Sequence, residues 1–478
     1  MNKADILIIG SGPAGHIAAE VAGDSGLSVY LFEKDKLGGV CLNYGCIPTK
    51  TLLNSAKIIR QFQDSDKYGI DVEGYIQLNH EEVIKRKDKV VRRMTLGLEA
   101  TLRDKATIIK GEAKILPKED EEFVVEANGE KYYGKYLFIA TGSDSIIPPI
   151  EGLKEAVEKG FAITSKEALE LEEVPENLVI VGAGVIGLEL ADYYSAAGSK
   201  VTVIEKLDKV LPSLEEEVAS ILRKSLEKKG IKIHLASTVT KIGEKEVHFI
   251  KREEDRTVEA DKVLVAVGRK GATKGFGLEN LSIEMNGSFI KTDEYLRTSE
   301  NGVFAIGDVN GKSLLAHAAQ RQAISAVKNL TEDADKVSSN SVPSVVYTTP
   351  AVASVGYTLE QALEADIDAK EVKLSLLYSG RYVAENIELT GICKIVYDRT
   401  NRCLIGAHIV GSYSSEIIAI LASFIDLKTD VKDIEKIVFP HPTVGEVIHD
   451  AVATIAQKIA KHEKILASAT SNGDGQES

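Results

Sequence analysis

The chain has 478 residues, and its 58 basic and 72 acidic side chains give a formal net charge of −14. This acidic balance excludes the basic surface with which proteins grip nucleic acid or an anionic membrane. The hydrophobic fraction of 44% and a length typical of about three domains indicate a folded protein with a sizeable core.

No stretch approaches the roughly 18 consecutive apolar residues of a membrane span. The N-terminus passes directly into a predicted strand at residues 6–9 and shows no signal-peptide pattern. We therefore expect a cytoplasmic protein.

That first strand runs into a glycine-rich turn and a predicted helix. Gly10, Gly12 and Gly15 occupy the three glycine positions of the dinucleotide-binding fingerprint. The first permits the tight turn, the second lets the backbone approach a pyrophosphate, and the third lets helix and strand pack closely. Glu33 ends the next predicted strand, 18 residues after Gly15, where a carboxylate can accept hydrogen bonds from ribose hydroxyls.

Two of the four cysteines come next in the chain, Cys41 and Cys46. One interpretation is packing, because free cysteine is often buried as a small hydrophobic residue. However, four intervening residues make about one helical turn, which could bring the thiols within bonding reach. The functional interpretation is a labile disulfide beside a redox cofactor.

The strand, turn and acid are repeated at a constant offset of 172 residues as Gly182, Gly184, Gly187 and Glu205. A single glycine turn could be purely structural. Two copies, each after an apolar strand and before a predicted helix, predict two dinucleotide sites. At the second site Glu205 favours a free ribose hydroxyl and repels a 2′-phosphate, which indicates NAD rather than NADP.

Near the C-terminus, His441 stands between Pro440 and Pro442, each of which restrains the backbone. This rigid position suits a catalytic imidazole or a tight structural turn. Glu446 opens a helix-like run and could orient the ring. Cys393 and Cys403 flank a predicted turn and are interpreted as free thiols in strands.

Motifs along residues 3–460 resemble, in order, those of the flavin-dependent pyridine nucleotide–disulfide oxidoreductases. They are the first fingerprint, residues 38–50 around the cysteine pair, residues 140–143, the second fingerprint, residues 303–308, residues 347–350 and residues 441–446. Ala351 and Gly445 depart from the family pattern, but neither change removes a redox or proton-transfer group.

The resemblance implies FAD at the first fingerprint and NAD at the second. The FAD-binding residues that it implies are Gly10, Gly12, Gly15, Glu33, Lys50, Ala113, Gly142, Asp308 and Ala316. The NAD-binding residues that it implies are Gly182, Gly184, Gly187, Glu189, Glu205, Val239, Gly268 and Arg269. Glu189 is expected to pair with the lysine near the flavin, and no metal site is expected.

The activity that the resemblance implies is oxidation of protein-bound dihydrolipoamide to lipoamide with reduction of NAD⁺ to NADH. Cys41 would exchange with the substrate and Cys46 would face the flavin. His441, oriented by Glu446, would be the base supplied by the neighbouring subunit of an obligate homodimer. The implied partners are the lipoyl domains of acyltransferase components in 2-oxoacid dehydrogenase or glycine-cleavage-type complexes.

Two alternatives remain open. One is an NADPH-dependent disulfide reductase of the same family, and the other is a catalytically idle, flavin-bearing assembly subunit. Glu205 argues against the first, and the presence of both cysteines and His441 argues against the second.

The predicted fold is α/β, with two Rossmann-like domains and a C-terminal α+β dimerisation domain. The FAD-binding domain is expected to be discontinuous, at 1–145 and 272–345, with the NAD-binding domain at 146–271. The dimerisation domain is expected at 346–462. Residues 463–478 are small and polar at their end and are predicted to form a disordered tail.

Overall fold

The computed structural model describes residues 2–330, 335–338 and 340–473. Its α-helices are α1 (Pro13–Asp24), α2 (Gly39–Tyr44), α3 (Cys46–Gln63), α4 (His80–Leu102), α5 (Leu153–Glu158), α6 (Ser165–Ala168), α7 (Val185–Ala196), α8 (Glu216–Lys228), α9 (Ala316–Lys328), α10 (Leu359–Glu364), α11 (Gly380–Glu385), α12 (Ser414–Asp426), α13 (Val431–Ile434) and α14 (Glu446–Gly473).

Its strands are β1 (Asn2–Ile9), β2 (Val29–Glu33), β3 (Thr107–Lys110), β4 (Lys114–Glu119), β5 (Glu122–Ala127), β6 (Glu130–Ile139), β7 (Ser143–Ser145), β8 (Ala162–Ile163), β9 (Asn177–Val181), β10 (Lys200–Ile204), β11 (Lys232–His234), β12 (Ser237–Ile242), β13 (Glu246–Lys251), β14 (Glu254–Glu259), β15 (Lys262–Val265), β16 (Arg269–Gly271), β17 (Met285–Asn286), β18 (Phe289–Ile290), β19 (Val303–Ala305), β20 (Ser344–Val346), β21 (Val352–Gly356), β22 (Ala369–Ser375), β23 (Ile392–Asp398) and β24 (Cys403–Val410).

The chain divides into two compact units. Unit 1 comprises residues 1–63, 73–206 and 237–339, and unit 2 comprises residues 64–72, 207–236 and 340–478. These two units are not the three domains expected from the sequence, namely the FAD-binding, NAD-binding and dimerisation domains. The boundaries of those domains stay a prediction.

Unit 1 contains a sheet in the order β3-β2-β1-β6-β5-β4, with β19 also paired to β6. Strands β1, β2, β3, β6 and β19 run parallel, whereas β4 and β5 form antiparallel pairs. Residues 6–8 of β1 are fully buried, as expected for an apolar strand covered on both faces of a parallel sheet. The sheet therefore places the first glycine turn at the end of a central strand.

A second parallel arrangement in unit 1 follows the order β10-β9-β15-β8. Here β9 lies between β10 and β15, just as β1 lies between β2 and β6. Each fingerprint strand is thus central and paired with the strand that follows it in the chain. This shared topology is the structural form of the repeat at 172 residues, and the predicted α/β class with two Rossmann-like parts is confirmed.

Unit 2 contains an antiparallel sheet in the order β20-β21-β24-β23-β22. Helices α12 and α14 contribute their apolar faces to a core shared with this sheet, through residues such as Leu421, Ile448 and Ile455. The strand-rich C-terminal segment followed by apolar helices is as predicted.

The C-terminal tail differs from its prediction. Residues 463–473 continue α14, and only 474–478 lie outside the described residues. The extension has a physical cause, because Lys461 to Ala467 are mostly good helix formers. The Glu463 carboxylate also lies 3.7 Å from the Arg402 guanidinium.

None of the helices in the described part of the chain combines the length and the hydropathy needed to cross a membrane.

Candidate active site

Cys41 and Cys46 form a disulfide, with their Cα atoms 4.7 Å apart. Cys41 lies on the short helix α2, and Cys46 is the first residue of α3. Gly38 caps α2 with a φ of +93°, a left-handed conformation that favours glycine. The Asn43 side chain donates to the carbonyls of residues 37 and 39, at 3.0 and 2.9 Å. The loop between the cysteines is thus tied to the backbone that precedes it.

The first fingerprint has the geometry that a dinucleotide requires. Gly10 has a φ of +97°, and a Cβ at Gly15 would overlap the carbonyl oxygen of Gly10, so neither position accepts a side chain without strain. At Gly12, by contrast, nothing lies within 4 Å of the position that a Cβ would take. The turn therefore leaves open space beside its backbone at the N-terminus of α1, where a pyrophosphate would bind.

Glu33 is fixed at the edge of this site. One of its carboxylate oxygens accepts from the Ser11 backbone N–H at 2.9 Å and also from the Ser11 hydroxyl. A cavity of about 330 Å³ opens beside it, lined also by Leu37, Arg103 and Ile108. This volume is in the range of small-molecule sites, so the residues present fit the adenosine end of a dinucleotide.

The second fingerprint repeats the arrangement. Gly182 has a φ of +107°, and a Cβ at Gly187 would overlap the carbonyl oxygen of Gly182. The position at Gly184 is open, and the Ala183 N–H donates to Glu205 at 2.7 Å. The hydroxyl of Ser11 has no counterpart here, because alanine occupies the equivalent position.

Lys50 and Glu189 form an ion pair within unit 1. The Lys50 ammonium lies 2.9 and 3.1 Å from the two carboxylate oxygens of Glu189, whose side chain is only 3% exposed. Lys50 lies one turn after Cys46 on α3, and Glu189 lies on α7, the helix of the second fingerprint. The pairing expected for Glu189 is therefore present, and it joins the disulfide helix to the second fingerprint helix.

Asp308 belongs to a half-buried polar group that the sequence did not predict as a group. It accepts from the Ser143 hydroxyl at 2.6 Å, and Ser143 in turn accepts from Nε of Arg269 at 2.7 Å. Burial raises the pKa of Asp308, and the contacts with Ser143 and Arg269 oppose that rise. Arg269, predicted with the NAD residues, thus lies beside a residue predicted for FAD.

The other predicted positions are spread over unit 1. Ala113 packs against the core around β1, Gly142 has a φ of +74°, and Ala316 begins α9. Val239 is buried in β12, and the Gly268 carbonyl accepts from the Ile146 N–H. Each of these residues stays a predicted cofactor contact.

In unit 2, His441 and Glu446 are paired as the sequence suggested. Nδ1 of His441 lies 2.8 Å from a carboxylate oxygen of Glu446, and the other oxygen accepts from the Thr443 N–H at 2.8 Å. Donation from Thr443, and then from His441, holds the pKa of Glu446 below its usual value. A carboxylate at Nδ1 favours the tautomer with its proton there, which leaves Nε2 as the hydrogen-bond acceptor of the neutral ring.

No set of three or more His, Cys, Asp or Glu side chains in residues 2–330, 335–338 and 340–473 is arranged to hold a metal ion.

Comparison with known proteins identifies the family. The family described as "Pyridine nucleotide-disulphide oxidoreductase" matches residues 4–323, and its dimerisation domain matches residues 342–452. A dihydrolipoyl dehydrogenase from Mycoplasma pneumoniae is 37% identical over 452 residues, which cover 93% of this chain and 97% of the relative. One from Acholeplasma laidlawii is 42% identical over 327 residues, 68% of this chain and 96% of the relative.

Among solved structures, the HOCl-induced flavoprotein disulfide reductase RclA from Escherichia coli superposes with a TM-score of 0.81. It is 28% identical, and the match covers 94% of this chain and 99% of that one. The first family region comprises the FAD- and NAD-binding domains, in agreement with the two fingerprints of unit 1. The disulfide between two helices, the doubled fingerprint and the matches over nearly the whole chain lead to one assignment: the chain belongs to the pyridine nucleotide-disulphide oxidoreductase family.

Proposed function

We propose that the protein is a dihydrolipoyl dehydrogenase. It oxidises protein-bound dihydrolipoamide to lipoamide and reduces NAD⁺ to NADH, through the Cys41–Cys46 disulfide and FAD. The observation that carries this proposal is the disulfide at the start of α3, beside the first fingerprint, in a chain similar over 93% of its length to a dihydrolipoyl dehydrogenase.

FAD would bind at the first fingerprint, with its ribose on Glu33 and its remaining contacts from Lys50, Ala113, Gly142, Asp308 and Ala316. NAD would bind at the second fingerprint, with its ribose on Glu205 and further contacts from Glu189, Val239, Gly268 and Arg269. When bound, FAD supplies two-electron redox chemistry between the cysteine pair and the nicotinamide.

Side chains of this protein carry out the half-reaction with the dithiol substrate. Nε2 of His441, from the second subunit of a homodimer, removes a proton from a substrate thiol, because the thiolate is the nucleophile. The thiolate attacks the sulfur of Cys41, a mixed disulfide forms, and Cys46 leaves as a thiolate. The second substrate thiol then attacks the substrate sulfur that is bonded to Cys41, and its proton passes to the departing Cys41 sulfur. Lipoamide departs, and the cysteine pair holds both electrons.

Glu446 is proposed to support this step in two ways. Its carboxylate keeps the proton of His441 on Nδ1, and it stabilises the imidazolium that forms when Nε2 is protonated. Thr443 holds the carboxylate in place through its backbone N–H.

The proposed partners are a second copy of the chain, through the matched dimerisation domain, and the lipoyl domains of acyltransferase components. A cytoplasmic location is proposed with them.

The second candidate is an NADPH-dependent disulfide reductase of the same family, and the likeness to RclA, described as a flavoprotein disulfide reductase, favours its disulfide reductase activity. Glu205 opposes it, because a carboxylate held by the Ala183 N–H at the end of β10 would repel a 2′-phosphate.

One assay separates the candidates. Purified protein is given dihydrolipoamide with NAD⁺, and in parallel glutathione disulfide with NADPH, and nicotinamide absorbance is followed. We expect turnover with the first pair and loss of that turnover in Cys46→Ser. Turnover with the second pair alone would contradict the proposal, and turnover with neither would favour an idle assembly subunit.

A further inference from the structure

Tyr44 lies between the two cysteines of the disulfide, as the last residue of α2. Tyr44 is 9% exposed, and the preceding residues Leu42 and Asn43 are buried with it. It has no part in the chemistry proposed above, so its burial beside the redox pair calls for a physical reason.

The ring of Tyr44 is in contact with two ammonium groups. The ammonium of Lys166 lies 4.2 Å from the ring centroid, and that of Lys36 lies 5.0 Å from it. Both are within the range of a cation–π attraction. The Asp35 carboxylate belongs to the same cluster and favours the protonated form of the Tyr44 phenol. The Asp35 carboxylate lies 3.9 Å from the Lys166 ammonium, which closes the cluster.

The members of this cluster come from separate parts of unit 1. Asp35 and Lys36 follow β2, whereas Lys166 lies on α6, in the segment predicted to bind NAD. Burial is the main reason that the pKa of Tyr44 is raised; the Asp35 carboxylate raises it further, and the Lys36 ammonium opposes this rise. The phenol therefore stays protonated throughout the neutral range.

We propose that Tyr44 is a positioning residue for the redox disulfide, one that keeps the two sulfurs close together while the bond between them is open. This role rests on the proposed function. It concerns the reduced enzyme, in which the Cys41–Cys46 bond no longer holds the residues between the two cysteines in place. Asn43 ties one side of the loop to residues 37 and 39, and Tyr44 ties the other side to α6. Closing the disulfide is then an intramolecular reaction between groups already in place, which gives a high effective concentration.

The test is an equilibrium with dithiothreitol. As the Cys41–Cys46 bond opens, each sulfur gains one hydrogen and dithiothreitol is oxidised to its cyclic disulfide. The holoenzyme is equilibrated over a range of reduced-to-oxidised dithiothreitol ratios, quenched in acid and alkylated. The peptide that carries both cysteines is then quantified by mass spectrometry, a readout that does not depend on turnover.

We expect Tyr44→Leu to shift this equilibrium about tenfold toward the dithiol, which is about 30 mV for a two-electron couple. Tyr44→Phe keeps the ring that contacts both ammonium groups and loses only the hydroxyl, so it should shift the equilibrium less. The double variant Lys36→Ala with Lys166→Ala leaves the loop sequence intact and should shift in the same direction, even if Tyr44→Leu fails to fold. Lys154→Ala, which removes an exposed ammonium on α5 of the same unit, is the matched control and should leave the equilibrium unchanged.

Wild-type equilibrium constants in both Tyr44→Leu and the double lysine variant would overturn the proposal. So would a shift toward the disulfide, because it would mean that the lysines stabilise thiolate charge rather than loop position. If the Cys41–Cys46 disulfide of the wild-type protein cannot be reduced and re-formed reversibly, that result would instead contradict the proposed function. The failure of the positioning role and the failure of the proposed function are thus distinguishable.

Discussion

His441 presents one ring nitrogen to solvent because the other is occupied by Glu446. The side chain is 80% exposed, and its Nδ1 is 2.8 Å from the Glu446 carboxylate. In the proposed mechanism this base acts on the dithiol and not on the nicotinamide. The two half-reactions should therefore respond differently when the imidazole is removed.

In His441→Ala, reduction by dihydrolipoamide should slow by about 10²–10⁴-fold, the usual loss for a general base, while reduction by NADH stays close to wild type. Stopped-flow absorbance of the flavin measures the two rates separately. Glu446→Gln, which keeps an oxygen at Nδ1 but removes its charge, should show a smaller defect in the same half-reaction. Equal slowing of both half-reactions in His441→Ala would show that the histidine is structural.

At the scale of secondary-structure elements, the glycines of each fingerprint divide into two kinds. Gly15 and Gly187 lie where a Cβ would overlap a backbone carbonyl, and Gly12 and Gly184 face open space. The first kind serves the packing of helix on strand, and the second leaves room for the cofactor.

Gly15→Ala should lower the stability of the cofactor-free protein by about 1–3 kcal/mol, the typical cost of overpacking. Gly12→Ala should leave that stability unchanged and weaken FAD binding. Thermal unfolding of the apoprotein, followed by titration with FAD, measures both effects. Gly187→Ala and Gly184→Ala form the matched pair for NADH, and a similar loss of apoprotein stability in Gly12→Ala and Gly15→Ala would refute the division.

The buried histidine of β24 predicts how stability depends on pH. His408 is 2% exposed, with Nδ1 on the Ser354 hydroxyl and Nε2 on the Tyr357 carbonyl. Burial lowers its pKa below the usual value near 6.5, and the contact with Tyr357 opposes this only in part. The neutral ring therefore adds stability above about pH 6.5, and that contribution is lost as the pH falls through the pKa of the folded state.

His408→Gln keeps an amide in the strand but does not titrate. Between about pH 6.5 and 5, the free energy of unfolding in urea should fall more steeply for wild type than for the variant. The difference in slope can reach about 1.4 kcal/mol per pH unit, the value for one proton. Parallel pH profiles would mean that His408 is not the group responsible.

The predictable parts of this fold are those set by local sequence. The two glycine turns follow from backbone conformations that glycine favours, and the pairing of His441 with Glu446 follows from their spacing. The group of Ser143, Arg269 and Asp308 could not be foreseen, because Ser143 lies 126 residues from Arg269 and 165 residues from Asp308. Ser143 meets Arg269 where β7 pairs with β16. The extension of α14 was missed because its polar composition resembled a tail.

At the scale of the whole molecule, the proposed homodimer makes each active site a shared one. The dimerisation domain matches residues 342–452, which include His441, while both cysteines lie in unit 1. If the base comes from the other subunit, two defective chains can complement each other.

Hybrid dimers of a His441→Ala chain and a Cys46→Ser chain, isolated with two different affinity tags, should regain about half of the wild-type turnover per dimer, since a two-fold dimer has two equivalent sites. In each hybrid dimer, one active site combines the intact cysteine pair with an intact His441. The other site lacks Cys46 and also lacks the imidazole of His441. The parental homodimers, assayed alongside, should be nearly inactive. An inactive hybrid would place the base in the same subunit as the cysteines that it serves.

The burial of the remaining cysteines has a practical consequence for anyone who wishes to label this protein. Cys393 and Cys403 are 0% and 6% exposed, and burial raises the pKa of Cys393 to about 12. Neither forms the thiolate that reacts with alkylating reagents near neutral pH. After reduction, the folded protein should thus take up iodoacetamide at Cys41 and Cys46 alone, and at all 4 cysteines only after denaturation, as intact mass would show. A spectroscopic probe can accordingly be attached at the redox centre of the native chain without first deleting any other cysteine.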